Sequence, residues 1–231
     1  MAIVPSQCWY RTFKIECGGH SATCFVISHR ERQWLVTAKH FVDAAPKESA
    51  PFVVTQHRGR EVTGLKIEAI PLVEPGADIS VFSLGDAKLV NDNLTLVAGA
   101  DGLVLSQDVY FLGYPLPDRV KLVDSLPMVK KGIMAGRADQ EGVKVWLVDG
   151  HNNPGFSGGP LVFNQGGGIG TIWNVLGVVS AYITQRVDVY GGLGGVVNAN
   201  SGIVIVYDIK HALDAIDAYM DKQARKPFHQ G

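Results

Sequence analysis

The sequence has few cysteines, a nearly balanced charge and no long apolar run. Its 21 lysines and arginines, set against 22 acidic residues, form no basic cluster, so we expect no nucleic-acid partner. No segment approaches the roughly 18 apolar residues of a membrane-spanning helix, and no signal-peptide pattern is present, so we expect no membrane partner. The three cysteines lack the CxxC spacing of zinc sites. We interpret Cys8, Cys17 and Cys24 as reduced thiols of a cytoplasmic protein, with a Cys8–Cys17 disulfide as the alternative.

Short β-strand patterns dominate the 231 residues, of which 46% are hydrophobic and 19% charged. This composition is typical of a globular protein that is large enough to bury a core. Ten runs rich in valine, isoleucine and aromatic residues are separated by turn residues, which predicts an all-β sandwich or a pair of barrels. The runs are 23–27, 34–38, 52–56, 65–73, 78–84, 108–114, 143–148, 159–163, 174–183 and 202–208.

Helical periodicity is clear only near the C-terminus, in "DIKHALDAIDAYMDKQ", where Asp208 is a candidate N-cap. A short helical turn is also expected after His40, at "FVDAA". The segment 86–101 has no clear strand pattern in its first half, and we interpret it as a connection between two lobes. The glycine-rich stretch 189–202 lacks the Lys-Ser/Thr pair of a phosphate-binding loop, so it is predicted to be a hairpin tip or a pocket wall.

The segment "NNPGFSGGPLV", residues 152–162, places Ser157 among three glycines. Such a backbone can bring N–H groups together near a hydroxyl, as an oxyanion hole requires. A serine nucleophile also needs a base, normally histidine, and a carboxylate that orients the base. His40 ends the strand pattern "WLVTAKHF", and Asp78 opens the strand pattern "DISVFSL". The chain order histidine, aspartate, serine is one of the known orders of such triads.

Together these segments resemble the trypsin-like serine proteases of the chymotrypsin fold, and most closely their bacterial HtrA-like branch. The family's Thr-Ala-x-His, aspartate and Pro-Gly-x-Ser-Gly-Gly-Pro motifs match residues 37–40, 78–81 and 154–160. Weaker similarities at "FLGYP", "KKGIMAG", "LGVVSAY" and the last strand and helix extend the resemblance over roughly residues 20 to 220.

The resemblance implies two antiparallel β-barrels with the active site in the cleft between them, and a C-terminal α-helix. A single protease domain would span residues 1–222, followed by a tail at 223–231. Within it, the first lobe with the linker, the second lobe and the helix would span residues 1–100, 101–206 and 207–222.

The resemblance also implies a serine endopeptidase that acts on polypeptides without a cofactor or metal. His40 would be the general base and then the general acid, Asp78 would orient it, and Ser157 would be the nucleophile. The backbone N–H groups of Gly155 and Ser157 would bind the oxyanion. The substrate pocket would be formed by His151, Ser180, Ala181 and Tyr182.

The base of this pocket differs from that of relatives that cut after lysine or arginine, because His151 replaces their aspartate. We therefore expect a preference for uncharged or acidic residues. Two alternatives stay open: His151 points to solvent and the pocket takes a small or medium apolar residue, or Asp149 pairs with a basic residue.

Other departures from the family pattern concern disulfides, activation and regulatory domains. Phe41 and Asn153 stand where secreted relatives carry cysteines, which supports a reducing compartment. Phe156 replaces the aspartate that receives a newly cut N-terminus in secreted relatives, so activation through that salt bridge is not expected. No PDZ-like region follows residue 222, and a regulatory domain or partner protein remains possible.

Two other interpretations are compatible with the motifs. The chain could be a catalytically silent binding module or scaffold with a protease fold, although no member of the triad is replaced. It could also be a viral-type processing protease of the same fold. The terminal helix and the "GYP" turn favour the bacterial type over the viral one.

Overall fold

The computed structural model describes residues 3–45, 51–56, 59–63, 67–94, 96–116, 120, 122–166, 172–189 and 195–225. Within these residues the strands form two seven-stranded sheets, one a half-barrel and the other ring-like. A C-terminal helix follows the last strand. The predicted all-β fold with two lobes and a terminal helix is therefore confirmed.

The first sheet contains the strands of the N-terminal part of the chain. They are β1 (Thr12–Cys17), β2 (His20–His29), β3 (Arg32–Thr37), β4 (Val53–Thr55), β5 (Glu61–Val62), β6 (Glu68–Ile70) and β7 (Ser80–Ser83). Their order in the sheet is β5-β4-β1-β2-β3-β7-β6. Strand β3 lies between β2 and β7, with Thr37 opposite both Cys24 and Ser80, so the segments that follow β3 and precede β7 meet at one edge.

The second sheet contains the remaining strands. They are β8 (Val97–Ala98), β9 (Asp108–Gly113), β10 (Met128–Gln140), β11 (Val143–Asp149), β12 (Pro160–Asn164), β13 (Trp173–Val189) and β14 (Gly195–Asp208). Their order is β12-β9-β10-β11-β14-β13-β8, and an additional pairing of β12 with β13 closes the ring. Each of the ten runs predicted from the sequence overlaps a strand of the two sheets, whereas β1, β5, β8 and β10 lie outside these runs. Strand β8 shows that the chain joins the second sheet within the predicted connection, 86–101.

Three α-helices complete the fold among the described residues: α1 (Ser6–Tyr10), α2 (Lys39–Ala44) and α3 (Lys210–Ala224). A short 3-10 helix also lies at Val123–Ser125. The turn expected after His40 is α2, whereas α1 was not predicted, because five residues are too few for helical periodicity to be visible. Helix α3 is capped by Ile209 rather than by Asp208. The Asp208 carboxylate nevertheless accepts a hydrogen bond from the N–H of Lys210 at 2.9 Å, as a capping side chain does.

The prediction for the glycine-rich stretch 189–202 was partly wrong. Residues 195–202 belong to β14 and pair with β13, with Val187 opposite Val197 and Asp188 opposite Val196. Valines on both strands favour an extended pairing despite the glycines. Residues 190–194, where the tip would be, lie outside the described residues.

The buried core joins the two lobes. One cluster of buried side chains includes Trp34 and Ile79 from the first sheet, Val178 from the second, and Ile216 from α3. Helix α3 also contacts the first sheet through Tyr219, whose ring packs edge-on against Trp34 at 6.0 Å between centroids. The core therefore holds the end of β3 and the start of β7 close to β13, where the candidate site lies.

Candidate active site

His40 is the second residue of α2, directly after β3. Ala38 caps this short helix in an extended conformation, so the chain turns sharply between Thr37 and His40. The imidazole is 52% exposed, so a substrate can reach it. The local sequence "VTAKHF" thus ends a strand and presents a histidine at its end.

Asp78 lies just before β7 and holds His40 by two hydrogen bonds. Its Oδ1 accepts the backbone N–H of His40 at 2.7 Å, and its Oδ2 lies 2.6 Å from Nδ1 of the ring. The Asp78 side chain is only 17% exposed. This arrangement fixes both the position of the helix start and the orientation of the imidazole, and it places the ring proton on Nδ1.

Ser180 of β13 donates its hydroxyl to the same Asp78 Oδ2 at 2.5 Å. Ser180 was predicted to form part of the substrate pocket, which stays a prediction. In the structure its side chain is buried and its hydroxyl is bound to the carboxylate. Asp78 is therefore held by groups from both lobes.

The pKa values of the pair follow from these contacts. Burial on its own would raise the pKa of Asp78, but the hydrogen bonds from His40 and Ser180 outweigh it, and the pKa lies below its ordinary value. The hydrogen bond to Asp78 raises the pKa of His40 above its ordinary value, against a smaller opposing effect of burial, and Asp43 adds to the rise. Asp78 is thus ionised, and His40 gains its proton more readily than a free histidine.

Ser157 lies on a tight turn between β11 and β12. Gly155 has a φ of +98°, and the N–H of Phe156 donates to the carbonyl of Asn153 at 3.2 Å. These features, with Pro154 in the second position, are typical of a type II turn, whose third position favours glycine. A Cβ on Gly155 would also lie 2.5 Å from the carbonyl oxygen of Tyr114. Conformation and close approach both require glycine there.

The Ser157 hydroxyl donates to the main-chain carbonyl of Ser180 at 2.8 Å. Because a hydroxyl has a single proton to donate, this proton points at β13 and not at His40. The structure thus brings the nucleophile candidate to the strand whose Ser180 holds Asp78. It does not join Ser157 to His40 by a hydrogen bond.

The two predicted oxyanion donors differ from the neighbouring N–H groups of the turn in their hydrogen bonding. Among the described residues, the N–H groups of Gly155 and Ser157 donate no hydrogen bond, although those of Phe156, Gly158 and Gly159 all do. These two N–H groups are therefore available to an acceptor from outside the protein.

Phe156 anchors the turn in the core of the second lobe. Its side chain is fully buried and packs against Phe111 with ring centroids 5.1 Å apart. Lys130 of β10 lies above both rings, donates to Asn153 Oδ1 at 3.0 Å and also binds the carbonyl of His151. Partial burial lowers the pKa of Lys130. An apolar side chain and a cation therefore occupy the underside of this loop.

The predicted pocket residues lie on the two segments beside this turn. The side chain of His151 is exposed, Ala181 is exposed and Tyr182 is half-buried. The carbonyl of Ala181 accepts a 3.4 Å hydrogen bond from Asn152. Asn152 is buried, and its Oδ1 has no hydrogen-bond partner among the described residues.

Two side chains that contact the turn were not singled out from the sequence, those of Thr23 on β2 and Lys130 on β10. Each is hydrogen-bonded to a residue of the turn that is distant in the chain. The resemblance at "KKGIMAG" included Lys130, but no sequence signal specified either contact.

No group of three or more His, Cys, Asp or Glu side chains in the described part of the chain is placed to hold a metal. None of the three cysteines, all described and buried, forms a disulfide. The described helices include none that is long and apolar enough to span a membrane.

Comparison with solved structures finds the same fold in bacterial proteases. The chain is 19% identical to the HtrA-type protease AlgW, with a TM-score of 0.62 over 94% of this chain. It spans 62% of the length of AlgW. It is 18% identical to the protease Rv3671c of M. tuberculosis in an inactive form, with a TM-score of 0.58 over 91% of this chain and 89% of that one. At these identities the likeness shows a chymotrypsin-like fold.

Comparison with sequences gives the family. No curated protein sequence matches the chain. The family model described as "Trypsin-like peptidase domain" matches residues 22–170, which include all three residues of the predicted triad. The chain therefore belongs to the trypsin-like peptidase family.

Proposed function

We propose that the protein is a serine endopeptidase with Ser157 as nucleophile, His40 as general base and acid, and Asp78 as the residue that orients His40. The observation that carries the proposal is the Asp78 carboxylate, which holds both the N–H and the Nδ1 of His40. With its proton on Nδ1, the ring offers the Nε2 lone pair to a serine hydroxyl.

The reaction begins with a rotation of Ser157. Its hydroxyl leaves the carbonyl of Ser180 and turns to His40 Nε2, which exchanges one ordinary hydrogen bond for another. Ser157 Oγ then attacks the carbonyl carbon of the scissile peptide bond, and its proton passes to Nε2. The resulting oxyanion accepts hydrogen bonds from the N–H groups of Gly155 and Ser157.

The same histidine completes the cycle. His40 Nε2 donates its proton to the leaving amine as the C–N bond breaks, which leaves an acyl group on Ser157. A water molecule then attacks the ester while His40 takes one of its protons. The proton returns to Ser157 Oγ as the carboxylic acid departs, and the enzyme is restored.

The substrate we propose is a polypeptide, cut after an uncharged or acidic residue. Two groups near the expected pocket base support this preference: the Lys130 ammonium binds the carbonyl of His151, and His151 itself replaces an acidic residue. A cation at this place disfavours lysine and arginine side chains by repulsion. A library of peptides tests the preference, and dominant cleavage after lysine or arginine would contradict it and point to Asp149.

The three cysteines support a cytoplasmic, reducing location, which is also proposed here. Burial raises the pKa of the Cys8 thiol to about 12 and raises that of Cys24 further, so neither is reactive.

We also propose that a regulatory domain or a partner protein controls the activity. The chain spans 62% of the length of AlgW, so that relative has further residues with no counterpart in this chain.

Labelling with a fluorophosphonate tests the central proposal. The wild type is expected to react covalently, and Ser157→Ala is expected to resist labelling and to lose peptide hydrolysis by a factor of up to about 10⁶. Ser21→Ala, which changes an exposed serine of β2, is the matched control and should react like the wild type. Labelling of Ser157→Ala at the wild-type rate would contradict the assignment.

A catalytically silent binding module is the second candidate. The direction of the Ser157 hydroxyl favours it, because the proton points at Ser180 and not at His40. A folded wild type that neither reacts with the fluorophosphonate nor cuts any peptide would support this candidate.

A further inference from the structure

Thr23, in β2 of the first lobe, is bound to the turn that carries Ser157 in the second lobe. Its side-chain hydroxyl donates to the carbonyl of Gly155 at 2.6 Å, and its backbone N–H donates to the carbonyl of Ser157 at 2.9 Å. The hydroxyl also accepts the N–H of Tyr114 at 3.1 Å. Thr23 is fully buried, so water does not compete for these bonds.

These two bonds fix the peptide groups on either side of the Ser157 N–H. Because a peptide unit is planar, a bound Gly155 carbonyl fixes the Gly155–Phe156 unit, and a bound Ser157 carbonyl fixes the Ser157–Gly158 unit. The unit between them carries the Ser157 N–H, and its own carbonyl, on Phe156, accepts the N–H of Gly159 at 2.9 Å. The orientation of the Ser157 N–H is therefore set from three sides, two of which depend on Thr23.

The glycines after Ser157 allow this approach. A Cβ on Gly158 would overlap the carbonyl oxygen of Thr23, and a Cβ on Gly159 would lie 3.2 Å from its methyl group. A Cβ on Gly113 would lie 2.8 Å from the Thr23 hydroxyl. Three glycines thus make room for one threonine.

Thr23 is bound to the histidine segment as well. Its carbonyl accepts the hydroxyl of Thr37 at 2.7 Å, and Thr37 precedes Ala38, the N-cap of the helix that presents His40. All of its polar groups are therefore used, and they connect the base segment of one lobe with the nucleophile turn of the other.

We propose that Thr23 is the positioning residue that aligns the oxyanion donors of the turn with the base. The proposal rests on the function proposed above. It predicts that the Thr23 hydroxyl contributes to transition-state stabilisation more than to substrate binding, since it acts on N–H groups that bind the developing negative charge.

Kinetics of Thr23→Val test this role, because valine keeps the shape of the side chain and removes the hydroxyl. We expect kcat to fall by about ten- to a hundred-fold, less than the effect of removing an oxyanion donor itself, with little change in KM. The inhibition constant of a peptide aldehyde, whose adduct carries the oxyanion, should rise by a similar factor. Thr23→Ser keeps the hydroxyl and should restore most of kcat.

Thr12→Val is the matched control. Thr12 is also a buried threonine of the first sheet, and its hydroxyl donates to the carbonyl of Cys8 at 2.8 Å, away from the turn. We expect a comparable loss of Tm in the two valine variants but a loss of kcat only in Thr23→Val. Equal kinetics in the two variants would overturn the proposal. Thr23→Ala replaces Thr23→Val in every comparison if the valine variant does not fold.

Amide hydrogen exchange of the free protein separates this proposal from the proposed function, because it requires no activity. The N–H of Phe156 donates to the carbonyl of Asn153 within the turn, and the N–H of Gly158 donates to the carbonyl of Val179 on β13. Exchange of both should accelerate about ten-fold or more in Thr23→Val but not in Thr12→Val. Unchanged exchange would overturn the role of Thr23. Accelerated exchange together with an inert wild type would support the role of Thr23 in holding the turn and would overturn the proposed function instead.

Discussion

The two halves of the candidate site differ in how they are held. In the first lobe, polar contacts hold His40, since Asp78 binds both its backbone and its ring. In the second lobe, the turn of Ser157 is held by the buried ring of Phe156 and by two hydrogen bonds from Thr23 of the first lobe. The imidazole of His40 is thus fixed by a carboxylate, whereas the Ser157 hydroxyl is bound to the carbonyl of Ser180 and, in the proposed reaction, turns from it to His40.

Among changes to the residues that support His40 and Ser157, the loss of the Asp78 carboxylate should have the largest effect on activity. Asp78→Asn keeps the shape of the side chain but replaces one carboxylate oxygen, which accepts a hydrogen bond, with an NH₂ group, which donates one. The ring of His40 is then no longer held with its proton on Nδ1. We expect kcat to fall by about 10⁴-fold, as for other triads in which this carboxylate becomes an amide. Peptide hydrolysis at saturating substrate measures the loss, and activity within about ten-fold of the wild type would contradict the role of Asp78.

Removing the ring of Phe156, which packs beneath the Ser157 turn, should lower activity less than Asp78→Asn does, and it should clearly lower the stability of the fold. Phe156→Ala removes a fully buried ring and should lower the free energy of unfolding by about 3–5 kcal/mol. Phe163→Ala is the control, because Phe163 is equally buried in the same cluster but lies on β12, beyond the turn. Denaturant unfolding should show similar losses in the two variants.

The two variants should differ in kinetics. With temperatures chosen so that both are folded, kcat/KM of Phe156→Ala should be at least about ten-fold lower than that of Phe163→Ala, because only the first loosens the oxyanion turn. Equal values would show that the ring supports stability alone.

The pH dependence of activity tests the His40–Asp78 pair directly. Only neutral His40 can accept the serine proton, and its hydrogen bond with Asp78 raises its pKa. Activity should therefore be low at acidic pH and rise through a midpoint above the ordinary histidine value of about 6.5. Asp43→Asn removes a second negative charge near His40 and should move the midpoint to lower pH. A profile that stays flat between about pH 6 and 8 would argue against His40 as the base.

Chelation should have the smallest effect. The proposed chemistry uses only side chains and backbone N–H groups, so dialysis against EDTA is expected to leave peptide hydrolysis unchanged. Strong inhibition that is reversed by added metal would point to a different mechanism.

Much of this fold could be predicted from local sequence. The ten predicted strand runs and the helix after them are patterns of neighbouring residues, and each overlaps an element of the expected type. The candidate residues His40, Asp78 and Ser157 could be chosen for the same reason, because each lies in a short motif beside a strand. Their roles stay predictions until activity is measured.

Other features could not be predicted because they depend on strand register or on contacts between the lobes. The continuation of the glycine-rich stretch 195–202 as β14 depends on its partner β13, and α1 is too short for periodicity. The hydrogen bond from the Ser180 hydroxyl to Asp78 depends on the approach of β13 to that carboxylate. The hydrogen bonds of Thr23 and Lys130 to the turn have no local sequence signal.

The sequence by itself determined the elements and the residue types of the site, because strand propensity, turn chemistry and short motifs act over a few neighbouring residues. The tertiary structure alone decided which side chains support them. Thr23 and Gly155 are 132 residues apart, and Asp78 and Ser180 are 102 apart. Such hydrogen bonds exist only after two sheets have packed with a particular register, since a shift of one residue would turn each side chain to the opposite face.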